Sequence, residues 1–188
     1  MNKLAREIVL YLGTKRRRDI LEKISPLLKK SDNILDIGTG IGDVCNELIK
    51  IGHTITPVDV KNSSLFENIK PVIYSGERLP FEDKKFDVSL LLTVLHHIKD
   101  PVAALKEAAR VSKRVIVMED TYDNALQKYI TFAMDSATNL EFFGHPHTNK
   151  TKSEWEKIFD ELGLKILSED VRNYCAFFTS ATYHLERN

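Results

Sequence analysis

Three glycines, Gly38, Gly40 and Gly42, follow the apolar run 34–37 in the stretch Asn33-Ile34-Leu35-Asp36-Ile37-Gly38-Thr39-Gly40-Ile41-Gly42-Asp43. Val44, Leu48 and Ile49 come next at helical spacing, so the pattern predicts a strand, a tight loop and a helix. Without a Cβ, glycine adopts positive φ and lets a ligand approach the main chain, as a nucleotide-like ligand requires. A dinucleotide fingerprint wants a small residue where pyrophosphate meets the helix start, and counting from Gly38 that place holds Asp43. A carboxylate there suits the helix N-terminus through capping and the macrodipole, but it repels pyrophosphate. The loop therefore favours a nucleoside ligand without phosphates.

S-adenosylmethionine (SAM), whose sulfonium and ammonium are positive, is such a ligand. A second predicted strand, 54–59, ends in Asp59, about twenty residues beyond the loop, where an acidic side chain accepts hydrogen bonds from a ribose diol. Taken without the loop, Asp59 reads equally as a turn residue at a strand end.

With ILDIGTGIGD, PVDV and SGERLPFEDKKFDVSLLLTVLHHIKDP in place, residues 34–117 resemble the class I SAM-dependent methyltransferases, in the subgroup of the ubiquinone/menaquinone-biosynthesis enzymes. The resemblance implies a Rossmann-like, doubly wound α/β fold: a seven-stranded sheet, mostly parallel with an antiparallel last strand, flanked by helices. It implies SAM as cofactor, with Asp36, Gly38, Thr39 and Gly40 at the loop, Asp59 and Val60 at the ribose, and the backbone of Leu92 and Thr93 along the methionine part. Family members carry an Asp for the adenine amino group four residues before the Leu of the L-P-F element. Here Leu79-Pro80-Phe81 is present and that place is Ser75, a weaker acceptor, with Gly76 N–H for the ring nitrogen and Glu77 as a substitute acceptor.

Candidates for proton transfer follow the strands. His96 and His97 come after the apolar run 86–92 and titrate near neutral pH, so either could act as general base; the alternative is that the pair caps the strand and packs under the cofactor. Asp120, with Glu119, ends the predicted strand 115–118, and strand C-termini line the ligand crevice in open α/β sheets. His145 stands in an aromatic loop as a third candidate base; with His147 it could also form a metal pair, but no cysteine or further ligand accompanies them and no metal is assigned. The Asn/Asp-Pro-Pro-aromatic motif of enzymes resembling base-amine methyltransferases is missing, Thr93 stands where metal-dependent catechol methyltransferases place an acidic ligand, and neither cysteine lies near this strand for pyrimidine C5 chemistry.

These residues need one soluble domain to position them, and 188 residues with 43% hydrophobic content form a sizeable core. The organisation predicted is a helical cap over 1–30, a cofactor-binding half over 31–120, and an acceptor-side helix, loop and edge hairpin over 121–188. Zero formal charge argues against bulk nucleic-acid binding, no apolar run spans a bilayer, and Cys45 and Cys175 read as buried free thiols of a cytoplasmic protein. Leu4, Ile8 and Leu12 predict a first helix that Gly13-Thr14 stops and recaps; Ile20, Leu21, Ile24, Leu27 and Leu28 predict a second that Ser25-Pro26 interrupts. Between them Lys15-Arg16-Arg17-Arg18 reads as a solvated face, or as a contact for anionic headgroups and hence for peripheral membrane binding. Further predicted elements are a short strand at 71–74, a helix capped by Asp100-Pro101, a helix opened by a Thr151/Glu154 capping box, and closing strands at 164–168 and 174–185. The aromatic and thioether content of 122–155 suits an apolar or aromatic acceptor, although such a run also serves as core.

The function expected is SN2 methyl transfer from SAM to a small, apolar or aromatic acceptor, in which positioning carries most of the catalysis. A non-catalytic subunit of the same fold that scaffolds a partner protein is the alternative, since Ser75 weakens one expected contact.

Overall fold

The computed structural model describes residues 3–122, 127, 148–174 and 178–187. Its centre is a seven-stranded sheet of β1 (Asn33–Ile37), β2 (Thr54–Asp59), β3 (Val72–Ile73), β4 (Phe86–Leu92), β5 (Ser112–Thr121), β6 (Leu164–Tyr174) and β7 (Phe178–Arg187). The order is β3-β2-β1-β4-β5-β7-β6. The first five strands are parallel; β7 enters antiparallel between β5 and β6.

Alternation along the buried strands sorts the core onto two faces. Leu35, Ile37, Val115, Val117, Ala181, Tyr183 and Leu185 pack with helices α4 (Pro101–Val111) and α5 (Lys152–Glu161) on one side. Ile34, Val88, Leu90, Ile116 and Met118 pack with Ile20 and Ile24 of α2 (Thr14–Ile24) and Leu48 of α3 (Asp43–Lys50) on the other. Because α3 and α4 leave adjacent strands for opposite faces, the sheet splits open at its C-terminal edge between β1 and β4.

Local chemistry explains most boundaries. Asp100 accepts from the Ala103 N–H at 2.9 Å ahead of Pro101, and Thr151 and Glu154 form the reciprocal capping box. Pro57 sits inside β2 without cost to the edge, since β3 pairs only with Val58 and Asp59. A 3-10 turn, Ser25–Leu27, ends α2 where Pro26 was expected to interrupt it.

Other boundaries differ from expectation. α1 (Lys3–Leu12) ends at Gly13 as expected and α2 starts at Thr14, but the break is slight: Gly13 keeps a right-handed φ, donates to Val9 O and accepts from the Arg17 N–H. Thr14 does not form the expected cap, because its hydroxyl turns back to Leu10 O at 3.0 Å. β6 runs on to Tyr174 and β7 begins only at Phe178. Glu169, Asp170 and Arg172 break the apolar alternation there, but an outermost strand accommodates charge. Pairing with β7 likewise stretches β5 to Thr121.

Arg114 of β5 ties this body to the N-terminal helices, donating to Asp32 Oδ2 at 2.7 Å and to Leu27 O at 3.1 Å. Both members of the ion pair are largely buried, so removing one strands the other. Arg114→Met is expected to lower the unfolding free energy by about 3 kcal/mol, read from urea titration, with Asp32→Asn adding little on top.

Candidate functional site

The glycine loop folds as its composition predicts. Gly38, Gly40 and Gly42 have φ of 77°, 57° and 80°. Gly38 and Thr39 donate to Val58 O, Thr39 Oγ1 donates to Asp36 O at 3.1 Å, and the Gly42 N–H closes a turn on Thr39 O. Asp59, at the tip of β2, accepts from Gly40 N–H at 2.8 Å with one oxygen and from Val60 and Lys61 N–H with the other. The loop after β1 is thereby fastened to the end of β2.

The end of β4 closes the other side. A Cβ on Gly38 would lie 2.3 Å from Val94 Cγ2, so a side chain at position 38 would push the β1 and β4 loops apart. Thr93 holds φ of 53°, unusual for a β-branched residue, and is fixed three ways. Its N–H donates to Met118 O at 2.6 Å, its hydroxyl to Leu92 O at 2.7 Å, and Arg16 Nη2 donates to that hydroxyl at 2.8 Å. Beneath the loop, Glu119 Oε1 accepts from the Val94 and Leu95 N–H groups at 2.9 and 2.7 Å, while Oε2 lies 2.6 Å from His96 Nδ1. His96 and Glu119 are 2% and 1% exposed.

Acidic groups gather at the crevice. Burial, and then the charges of Asp59 and Asp43, push the Asp36 carboxyl up to about 7, against the lowering effect of its hydrogen bond with Thr39. Asp43 opens α3, with Oδ1 accepting from Val44 N–H, and faces Arg17 Nη1 at 3.6 Å. Arg16 and Arg17 thus reach the crevice wall, Arg17 half-buried and Arg16 still exposed like Lys15 and Arg18, so the run is a solvated face with two contacts to the crevice.

The sequence-predicted residues fall into three groups. Asp36, Gly38, Thr39, Gly40, Asp59, Val60, Leu92 and Thr93 converge at the C-terminal ends of β1, β2 and β4. Ser75, Gly76 and Glu77 follow β3 and join them through Gly76, which has φ of 89° and whose absent Cβ would sit 3.4 Å from Val60; the Ser75 hydroxyl accepts from Glu77 N–H at 3.4 Å. His96 turns inward to Glu119, with His97 beside it at a ring separation of 4.1 Å. Asp120 lies half-buried on the opposite face of β5 from Glu119, near Lys23, whose ammonium burial pushes down in pKa and whose Nζ donates to Ser180 Oγ at 3.3 Å. His145, His147, Cys175, and the helix and loop expected over 129–147 lie outside the described residues. Among the described residues no group of three or more metal-ligating side chains occurs. The contacts of Arg16 and Glu119 were not foreseen, since each depends on pairing across a long stretch of chain.

A second concave region, lined by Arg78, Phe81, Asp83 and Arg110, opens near the N-terminal end of β4, far from these groups. One of its two cations is committed, Arg110 donating to Glu107, Asp83 and the carbonyls of Leu79 and Phe81.

A crevice at the switch point of this strand order, cornered by glycines yet rimmed with carboxylates instead of phosphate donors, defines a class I SAM-dependent methyltransferase. The chain belongs to the methyltransferase domain family, whose model matches residues 11–169. It is 31% identical over 110 residues to the ubiquinone/menaquinone biosynthesis C-methyltransferase UbiE of Rickettsia bellii, a match that takes in 49% of this chain and 44% of that protein. The chain therefore spans less than half the length of that curated relative. Among solved structures it is similar to a candidate methyltransferase from Bacillus halodurans C-125, with a TM-score of 0.71, 15% identity and coverage of 89% of this chain and 98% of the other. It is also similar to the magnesium protoporphyrin IX methyltransferase of Synechocystis PCC 6803 with bound SAH, with a TM-score of 0.66, 15% identity and coverage of 100% and 89%. These two likenesses bear on the fold alone.

The clamp beneath the β4 loop makes a stability prediction. Glu119→Ala removes the acceptor of the buried Leu95 and part-buried Val94 N–H groups and the carboxylate beside His96, and should cost about 3 kcal/mol in urea titration, whereas Glu119→Gln, which keeps a carbonyl for the N–H pair, should cost less.

Proposed function

We propose that this chain binds SAM in the crevice between β1, β2 and β4 and transfers its methyl group to a small, apolar or aromatic acceptor. The observation that carries the reading is the gathering of Asp36, Asp43 and Asp59 around a glycine loop, which favours a cation and disfavours a phosphate. When bound, SAM supplies a methyl carbon made electrophilic by the sulfonium and leaves as a neutral thioether. Asp59, held by three N–H groups, two on Oδ1 and one on Oδ2, has an acceptor site left on Oδ2 for a ribose hydroxyl. Val60 and Gly76 give the adenine an apolar wall, with the Gly76 N–H and Glu77 as its polar partners in place of the family's Asp. Backbone at Leu92 and Thr93 lines the amino-acid portion, beside the Arg16 guanidinium.

In-line displacement asks the protein chiefly to align the reactants and exclude water. We assign His96 a positioning role, because Nδ1 is engaged by Glu119 inside the protein. For a hydroxyl or carbon acceptor, His97 and Asp120 are the candidate bases on the described residues, and His145 remains a third from the sequence. The apolar character of the acceptor draws on the composition of 122–155 and on the name of the UbiE relatives. The free, buried Cys45, whose thiol burial pushes up to about 12, fits a reducing cytoplasmic setting. The scaffolding alternative gains no support from a site in which the loop and its acidic partners are assembled.

Calorimetric titration with SAM tests the reading. Wild type should bind at micromolar Kd and Asp59→Ala should bind roughly 10–100-fold more weakly, while failure of the wild type to bind, or an unaffected mutant, would refute it. The pH dependence supplies a second prediction. An unfolded Asp loses its proton near ~3.9, so without ligand the proton held by Asp36 makes the protein lose stability as pH rises from about 4 to about 7. A cationic ligand wants the carboxylate, so SAM affinity should rise by up to about tenfold per pH unit until pH reaches about 7, and Asp36→Asn should flatten that slope.

A further inference from the structure

Among the described residues, one cation at the crevice meets no group of opposite charge. Arg17 Nη1 lies 3.6 Å from Asp43 Oδ2, which answers its charge. Arg16, its neighbour on α2, donates from Nη2 to the neutral hydroxyl of Thr93 at 2.8 Å, and no described carboxylate stands within ion-pair distance of it. Asp36, Asp43 and Asp59 gather at the same edge of the sheet, yet none of them takes this guanidinium.

The contact with Thr93 does not exhaust Arg16. A guanidinium presents its N–H donors in a planar fork that grips a carboxylate through paired bonds. Thr93 engages a single nitrogen of that fork, and the side chain stays exposed. Nor does the β4 loop depend on it, since the Thr93 N–H and hydroxyl are also tied to Met118 O and Leu92 O.

Position along the crevice says which anion completes the set. Strand ends follow one another in the order β3-β2-β1-β4. Asp59 at the tip of β2 is placed for the ribose, and Gly76 after β3 flanks the adenine. A nucleoside laid in that order sends its tail across the β1 loop to the end of β4, where Thr93 and Arg16 stand. The tail of SAM carries a sulfonium, an ammonium and a carboxylate. Its positive groups suit the acidic β1 loop; its carboxylate is repelled there and needs a cation.

We propose that Arg16 binds the carboxylate of the SAM amino-acid tail and so sets the cofactor specificity of the crevice. The inference rests on the reading that SAM occupies it. Aspartates alone would accept any cationic nucleoside, whereas Arg16 selects one that also ends in a carboxylate.

Calorimetric titration with SAM and with decarboxylated SAM, which lacks the carboxylate and keeps both positive groups, tests the assignment. Arg16→Gln should lower the ratio of the two affinities, SAM over decarboxylated SAM, at least about tenfold, with SAM weakened and decarboxylated SAM bound no less well. Arg16→Lys, which keeps the charge and loses the fork, should restore part of the ratio. Because the side chain is exposed, Arg16→Gln should leave the melting temperature of the ligand-free protein unchanged. A ratio that Arg16→Gln does not change overturns the proposal. If both ligands weaken alike, Arg16 only positions Thr93; if neither weakens, another group holds the carboxylate. Wild type that binds neither ligand refutes the occupancy by SAM itself, and this inference with it.

Discussion

Two loops can meet at the sheet edge only because one of them lacks a side chain. Val94 occupies the space a Cβ on Gly38 would need, and that contact brings the turn after β1 against the turn after β4. The other features of the crevice are consequences of it. Thr93, one residue before Val94, takes a left-handed conformation that costs on the order of 1–3 kcal/mol. Hydrogen bonds from three directions hold it there, and Glu119 anchors the next two backbone amides from the neighbouring strand. The Ser-free, glycine-cornered turn and the buried acid are parts of one device that sets the distance between strands carrying helices to opposite faces.

Electrostatics follow from the same geometry. Bringing the β1 loop onto the tip of β2 places Asp59 near Asp36, and the helix start adds Asp43. Burial makes the shared negative charge expensive, and the protein relieves it partly by protonating Asp36 and partly through Arg17 beside Asp43. A cation entering the crevice would relieve it more fully, so the polarity of the site is a selection rule written into its backbone.

Much of this was legible in local sequence. The strand, glycine loop and helix at 33–50, the Asp100-Pro101 cap and the Thr151/Glu154 box are short-range patterns, and each forms as its residue types dictate. What local patterns miss are events set by partners far along the chain. Arg16 meets Thr93 across 77 residues, and Glu119 meets His96 across 23, so neither spacing announces the contact. Gly13 shows a subtler miss: it ends α1 as expected, but the amides around it found helical partners, so the interruption is slight and Thr14 makes no cap. The charged residues of β6 concealed its continuation beyond Ser168, because alternation is a signature of half-buried strands and this one lies outermost.

That outermost position has a consequence for behaviour in a crowded solution. An open sheet has two edges, and each presents unpaired N–H and C=O groups that a stray strand could extend. Here one edge, β3, is two residues long, too short to template another chain. The other, β6, is long, but it carries Lys165, Glu169, Asp170 and Arg172 and breaks register between Ile166 and Ser168. Charge and irregularity make it a poor mate for a second sheet. Inserting β7 antiparallel and leaving the charged strand outside therefore ends the sheet as well as completing it, protecting the protein against edge-to-edge aggregation.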